Sequence, residues 1–440
     1  MKYDIFFELA KQAGIEEAEL FINQSYELSI NFFHGEVDNY SSNNGYTIQA
    51  RGLVNGKFGA AACDVFNKEK AKYLVDEIVA NAKIIENEDP QIIFPGSPKY
   101  KKINTFNPNL EKISIEEKME KVKGLDAAIR SYDPRIVEVQ AVEYAENKSV
   151  TTLMNSRGLK LTQKSNYFVV VGVALAMENG QVKSGYDLVL DNDFSKVDIP
   201  ALGKKIAKET VEQLGGEPCA SSQYKVVLHP SVVSSFMSAL IDSASAEEVQ
   251  KHSSFFEGKL GQKVASSKVT IEDKPLARNV FSKWFDDEGV ATSNRAIIKN
   301  GVLESYLYNL TTAAKDGVES TGNGHRYGGK IAVGPTFLCL KPGKKSLDEL
   351  FSEVGNGVYV TEVSGLHAGL NPQSGNFSLQ SSGFLIENGK KGRGLDIITV
   401  SGNLLEVFKD VIAVGSNVEV APSGTSCPSL LIKKLSITGK

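Results

Sequence analysis

Apolar positions along this 440-residue chain switch between a helical period and a strand period, and the succession recurs. Residues 3–13 set Ile5, Phe6 and Leu9 on one helical face, and Gly14 ends the pattern. Three alternating runs follow: AELFINQ, YELSINFFHGEVDNYS and GYTIQARGLVNGKFGAAAC. From Glu27 to Phe32 the alternation has the period of two of a half-buried strand. Asn55-Gly56, between two such runs, predicts a hairpin turn. A helix over 67–88 carries Ala71, Leu74, Val75 and Ile78 on one face. The order then restarts. A helix over 114–131 opens with Ser114 as N-cap and Glu117 three residues on, and long alternating runs follow to residue 190. Asn179-Gly180 stands where Asn55-Gly56 stood, and a helix over 199–214 ends at Gly215-Gly216.

This predicts an α+β fold whose N-terminal part, 1–220, is one helix–antiparallel meander–helix unit used twice, over 1–90 and 110–220. The alternative is ordinary likeness between two α+β segments. The stretch 87–109 holds Pro90, Pro95, Pro98 and Pro108 and reads as an extended connector. A β-rich, mixed α+β domain is expected over 221–440. YKVVLHP reads as a short buried strand, and a helical pattern runs on through SVVSSFMSALIDSASAEEVQKHSSFF. KVASSKVTIED reads as strand, and RAIIKNGVLESYLYN as a hairpin turning at Asn300-Gly301. PTFLCLKPG and GVYVTEV read as strands around a helix in SLDELFSEV. NLLEVFKDVIAVG reads as one helix before a last strand in SLLIKKLSITG.

Composition narrows the function classes. Hydrophobic residues make up 41% and charged residues 23%, which fits a globular protein and not a disordered or fibrous one. The formal charge of -4 comes from 49 basic and 53 acidic residues without a basic block, so no nucleic-acid or anionic-membrane footprint is visible. No apolar run is long enough to span a bilayer, and the N-terminus lacks a signal-peptide core. Cys63, Cys219, Cys339 and Cys427 form no Cys-x-x-Cys pair, and reduced thiols in a cytoplasm are the expectation.

The chemistry-bearing residues are sparse. No histidine precedes a glutamate, and no two lie within five residues of each other, which excludes a two-histidine zinc helix. His229 reads as a turn group and His252 as a solvated side chain. His325 and His367 sit in glycine-rich loops, where a structural hydrogen bond and a catalytic role both stay open. Asp286-Asp287-Glu288-Gly289 lacks the oxygen spacing of a calcium loop and reads as a solvated turn. Trp284, beside Phe281 and Phe285, reads as core. No phosphate loop and no Gly-x-Ser-x-Gly elbow occurs.

Several ordered blocks resemble the TldD/PmbA family, formerly described as modulators of DNA gyrase. They are FDDEGVAT at 285–292, IIKNGVLESYL at 297–307, STGNGHR at 320–326, SGLHAGLNPQSGNFSLQSSGFLIENG at 364–389 and PSLLIKKLSITG at 428–439. YSSNNGYTIQARG, ending at 52, is similar to the family's N-terminal domain. The resemblance implies two kinds of subunit. A TldD-type chain carries a His-Glu-x-x-x-His helix and a cysteine ligand near its C-terminus. Here Ser238 and Ser243 stand about where the histidines would be and Ala239 where the glutamate would be, while 415–420 holds no cysteine and Cys427 does not line up. A hydroxyl is a poor zinc ligand and a methyl group is no base. The chain therefore resembles the PmbA, or TldE-type, subunit. The resemblance implies a heterodimer whose TldD-type partner holds a divalent metal, expected to be zinc, with no cofactor and no catalytic residue in this chain. It implies cleavage of unfolded or short peptides, such as a leader peptide or an antitoxin.

The glycine- and serine-rich block at 364–389 offers accessible backbone, and His367, Gly369, Asn371, Ser381 and Gly383 are the candidates for a peptide cleft, with tight turns inside a β core as the alternative for each. A stand-alone peptide-binding or regulatory homodimer, and an independent hydrolase with an unrecognised site, are the competing functions.

Overall fold

The computed structural model describes residues 3–86, 89–327 and 330–439. The first element is helix α1 (Asp4–Gln12), followed by strands β1 (Glu17–Phe33), β2 (Glu36–Val54) and β3 (Lys57–Cys63) and helix α2 (Lys68–Ile84). After the connector come α3 (Ile115–Arg130), β4 (Ile136–Asn155), β5 (Lys160–Glu178), β6 (Gln181–Asp191) and α4 (Ile199–Val211). The six strands form one antiparallel sheet in the order β3-β2-β1-β4-β5-β6, so the two sets of three meet at their first strands. One face of β1 serves both helix pairs. Leu20 and Ile22 pack with Phe6, Leu74 and Ile78, while Leu28, Ile30 and Phe32 pack with Val122, Leu125 and Ile129. Each such buried side chain contributes about 2 kcal/mol.

The turns and caps follow the local chemistry. Asn55, Gly56, Asn179 and Gly180 all have positive φ, as the tight hairpin requires. Ser114 caps α3 by accepting the amide of Glu117. A further turn at His34 (φ 51) and Gly35 (φ 73) divides what the alternation presents as one run, and AELFINQ and YELSINFF join into the single strand β1. Helix α2 gives way to extended backbone at Ile85, so the predicted helix at 67–88 is shorter in the described residues, and 87–88 lie outside them.

The second half begins with β7 (Ser222–Leu228), α5 (Pro230–Asp242) and α6 (Ala246–Gln250). Strands β8 (Ile271–Asp273), β9 (Arg295–Lys299) and β10 (Val302–Leu303) precede α7 (Leu310–Asp316), β11 (Gly324–Tyr327), β12 (Lys330–Val333) and β13 (Leu338–Leu340). Then come α8 (Leu347–Val354), β14 (Gly357–Ser364), α9 (Leu366–Gly369), β15 (Asn376–Glu387), β16 (Lys390–Asn403), α10 (Leu404–Lys409), β17 (Val411–Ala421) and β18 (Thr425–Thr438). β7 pairs with β14 and with β18, and β18 also pairs with β16, so β7, β14, β15, β16 and β18 close into a ring. Val232, Val233, Phe236, Met237, Leu240 and Ile241 of α5 are buried against this sheet.

Several expectations fail here. The helical pattern through SVVSSFMSALIDSASAEEVQKHSSFF breaks into α5 and the short α6, and of KVASSKVTIED only Ile271–Asp273 form a strand. The helix read through NLLEVFKDVIAVG stops at Lys409, and Val411–Val414 turn into β17 because β18 offers an antiparallel partner from Ile432 back to Leu430. The acidic turn is not solvated: Asp286, Asp287 and Glu288 are buried. Asp286 accepts the amides of Glu288, Val290 and Gly324, and Glu288 accepts that of Leu310. Burial and the neighbouring Glu288 push the Asp286 carboxyl well above its usual range. Asp287 goes the other way: burial raises it, but Lys283, 3.1 Å away, and the Arg326 amide outweigh that.

This turn joins the two sheets. Arg326 pairs with Glu19 of β1, which is fully buried and 2.7 Å from Arg51 of β2. Leu153, Leu159 and Leu161 pack with Trp284 and Phe285 beside it, so Trp284 is core. Among the described residues no helix is long and apolar enough to cross a membrane.

Candidate functional site

A cleft of about 1030 Å³ opens between the edge strand β6 with helix α4 and the second half of the chain. Five consecutive residues of β6, Ser184–Leu188, line it, so backbone of both pleat phases is accessible. The opposite wall comes from the start of α5, from β14 and β15, and from the end of β17.

Ionisable groups meet across this cleft. Lys205 of α4 lies 2.8 Å from Asp187 of β6 and 3.9 Å from Glu419 of β17. Glu419 lies 3.5 Å from Nε2 of His229. His229 caps α5: its Nδ1 accepts the Ser231 amide at 3.2 Å, which leaves the ring proton on Nε2 facing Glu419. Burial alone would raise Glu419, but the hydrogen bond from His229 and the charge of Lys205 help bring it below the usual range. Tyr359, beside the His229 ring, is pushed far up by burial and by Glu419 and Glu209, so its phenol stays a proton donor. The set holds a charge-complementary, hydrogen-bonding surface, which suits binding and orientation of a polar chain.

The five candidates from 364–389 stand elsewhere. His367 and Gly369 lie on the single turn α9, with His367 exposed; a Cβ at Gly369 would come within 2.5 Å of the Ser378 carbonyl. Asn371 closes the loop after it by accepting the amides of Gln373 and Ser374. Ser381 is buried and donates to the Leu379 carbonyl, and a Cβ at Gly383 would sit 2.0 Å from the Tyr359 carbonyl. None of the five lines the cleft, although Ser382, between Ser381 and Gly383, does. His325 donates from Nε2 to the Gly334 carbonyl at 2.9 Å and is held down to about 4 by burial and Lys283.

The donor chemistry of α5 does not fit a zinc ion. Its side chains offer hydroxyls, one thioether and the carboxylate of its last residue, Asp242. Ser238 and Ala239 are half-buried; Ser243 is buried at the helix end, where its carbonyl accepts the Ser254 hydroxyl. Cys427 does reach α5, with Sγ 4.0 Å from the Met237 sulfur, but burial and Cys339 push its thiol up to about 12. A ligating thiolate needs the reverse shift. Among the described residues no three His, Cys, Asp or Glu side chains converge on a point where they could hold an ion.

Residues 221–439 match the PmbA/TldA metallopeptidase C-terminal domain, residues 108–214 its central domain and residues 18–82 its domain 1. The chain belongs to the PmbA/TldA metallopeptidase family. This PmbA/TldA chain is 24% identical over 431 residues to the metalloprotease PmbA of Escherichia coli O157:H7, covering 96% of this chain and 92% of that one. It is 25% identical over 469 residues to a metalloprotease TldD homolog of Haemophilus influenzae, covering 98% and 95%. Among solved structures, one described as a modulator of a DNA gyrase from Thermotoga maritima superposes with a TM-score of 0.92 at 33% identity, covering 99% of both chains. TldE of Thermococcus kodakarensis shares the fold, with a TM-score of 0.92 at 23% identity over 100% of both chains. Overall identity is similar to PmbA-named and TldD-named relatives.

The sequence reading missed the cleft because its residues come from distant segments. Only His229-Pro230, a cap followed by a proline at the first helical position, marked one wall of it.

Proposed function

We propose that this chain is the subunit without the metal in a two-chain PmbA/TldA peptidase, and that it holds unfolded or short peptides for a TldD-type partner. One observation supports this most: helix α5, which stands after β7 where the resemblance puts the metal helix, and its C-cap carry Ser238, Ala239 and Ser243 at the expected histidine and glutamate positions, hydroxyl and methyl groups in place of ligands and base. The partner's metal would supply Lewis-acid and water-activating chemistry. In this chain, a peptide lying along Ser184–Leu188 would extend the sheet at β6 through main-chain bonds and so demand little of the substrate's side chains. Lys205, Asp187, Glu419 and His229 would orient its polar groups.

The test mixes the purified chain with a TldD-type partner and measures cleavage of an unstructured peptide. Cleavage is expected from the mixture, lost with a chelator and much lower from either chain alone. Equal activity of the partner alone contradicts the reading. The second reading is a peptide-binding homodimer without proteolysis, in which the cleft lined by Ser184–Leu188, Lys205, His229 and Glu419 would bind peptide without a catalytic partner. Peptide binding without cleavage in any mixture would favour it.

A further inference from the structure

The walls of the cleft carry more acid than they neutralise. Lys205 meets two carboxylates, Asp187 at 2.8 Å and Glu419 at 3.9 Å. A third, Glu209, stands one turn further along α4 and also lines the cleft. Its carboxylate makes no hydrogen bond or ion pair among the described residues. Partial burial pushes that carboxyl up; Lys205 opposes this, and Asp187 and Glu419 add to it. The nearby Lys208 and Lys391 are both engaged with Glu212 instead. Tyr359 gives an independent sign. It is only 5% exposed and lines the cleft, yet its hydroxyl has no hydrogen-bond partner among the described residues. The charges of Glu419 and Glu209 reach it. A polar group held this deeply is costly unless a ligand supplies the missing partner.

We propose that this cleft selects peptides carrying a lysine or arginine side chain, which Asp187, Glu209 and Glu419 receive while the Tyr359 hydroxyl donates to a peptide carbonyl. Such selection presupposes the peptide-holding role given above, for which it names the substrate class. The strand geometry fixes where the cation goes. Asp187 reaches Lys205, and a Cβ on Gly185 would meet Thr210, so these two residues face α4. Tyr186, between them, faces the other way and is exposed. A peptide paired along β6 therefore sends every second side chain to the α4 face, because residues opposite each other share a face. The residue opposite Gly185 or Asp187 is the one that meets the acids. These carboxylates do not converge tightly enough for a metal ion, since no such group of three exists among the described residues. An ammonium or guanidinium spans wider gaps, with several N–H donors spread over its surface. Lys204 opposes the preference: it lines the same wall, exposed and without an ion pair among the described residues. Against it stand Glu209 and, on the facing wall, Glu362, which has no cation beside it among the described residues either.

Binding of fluorescent peptides to the full chain, followed by anisotropy without a partner subunit, tests this. Four unstructured peptides, acetylated and amidated so that no terminal charge contributes, differ only in one central residue: lysine, arginine, glutamine or glutamate. The lysine and arginine peptides are expected to bind about tenfold tighter than the glutamine peptide, as charge-assisted hydrogen bonds to partly desolvated carboxylates should give. The glutamate peptide should bind most weakly. Glu209→Lys, at a helix position open to solvent on one side, is expected to reverse that order, a result that loss of folding cannot imitate. Tyr359→Phe is expected to weaken all four peptides alike. Equal affinities across the four peptides overturn the charge preference and leave the peptide-holding role standing. Tighter binding of the glutamate peptide overturns it too, since Lys204 then governs the cleft. So does an order that Glu209→Lys leaves unchanged, because the preference then arises elsewhere. If none of the four binds, the peptide-holding role falls and the preference with it.

Discussion

The two helix–meander–helix units differ in what lies beside their middle strands. In the second unit the stretch Lys160–Tyr167 of β5, which β6 does not reach, is walled in. The connector backbone at Asn107 exchanges two hydrogen bonds with the Asn166 side chain, and Gln163 exchanges two with Ser282 and Trp284. In the first unit the corresponding stretch of β2 is bare. Their buried charges differ in the same sense but with the roles exchanged. The second unit completes its own ion pair, Lys118 with Glu146 at 2.6 Å, and Tyr144 donates to the same carboxylate. The first unit leaves Glu19 to be completed by Arg326 from the second half of the chain. Each unit thus has one feature finished from outside itself, and the fold finishes both except at the β2 edge.

The largest test of this difference is Arg326→Met, which leaves Glu19 buried with one partner fewer. A loss of about 3–5 kcal/mol is expected in urea unfolding. Lys118→Met should cost a similar amount, but Lys118→Met with Glu146→Gln should recover most of it, because that pair involves no other charge and Gln still accepts from Tyr144. If Arg326→Met costs less than about 1 kcal/mol, the junction is not held by this ion pair.

Next in size is a pH effect at the same junction. His325 is held near pKa 4 in the fold against 6.5 ordinarily, so as pH falls the unfolded chain takes up the proton first. The stability it gives is whole above pH 6.5 and is lost toward pH 4, by about 3 kcal/mol. His325→Asn should flatten that part of the stability–pH curve, and an unchanged slope would refute the assignment.

A smaller contrast separates the two units where each second helix crosses its third strand. A Cβ at Gly59 would meet the Ile78 carbonyl at 1.8 Å, whereas one at Gly185 would meet the Thr210 hydroxyl at 2.3 Å. Backbone yields less than a side chain, so Gly59→Ala should cost about 3 kcal/mol and Gly185→Ala about 1 kcal/mol by thermal unfolding. The reverse order would show that α2 is held more loosely than α4. The smallest effect on the fold is expected at the bare edge itself, where Ser41→Glu should change stability by no more than about 0.5 kcal/mol.

What the sequence discloses follows the range of the forces. Asn55-Gly56, Asn179-Gly180, Asn300-Gly301, the Ser114 cap and the helix in SLDELFSEV, with Ser346 as its capping residue, are legible because each is decided within four residues. The α+β class and the family resemblance were legible too. DVIAVG misleads because a short apolar run suits a helix or a strand alike, and β18 decides between them. The acidic turn misleads for a similar reason. Charges signal exposure unless partners arrive from afar, and Arg326 and the Gly324 amide lie about 38 residues on. The cleft was hidden most deeply, since Asp187, Lys205, His229 and Glu419 share no local pattern.

The ring of strands in the second half has a temporal consequence. Its opening strand, Ser222–Leu228, finds an antiparallel neighbour only in Leu430–Ile437, some two hundred residues later. During synthesis the ring stays open until that final segment has left the ribosome. A chain stalled or cut before it therefore keeps an unsealed seam, and such fragments are the ones that chaperones and proteases should meet first.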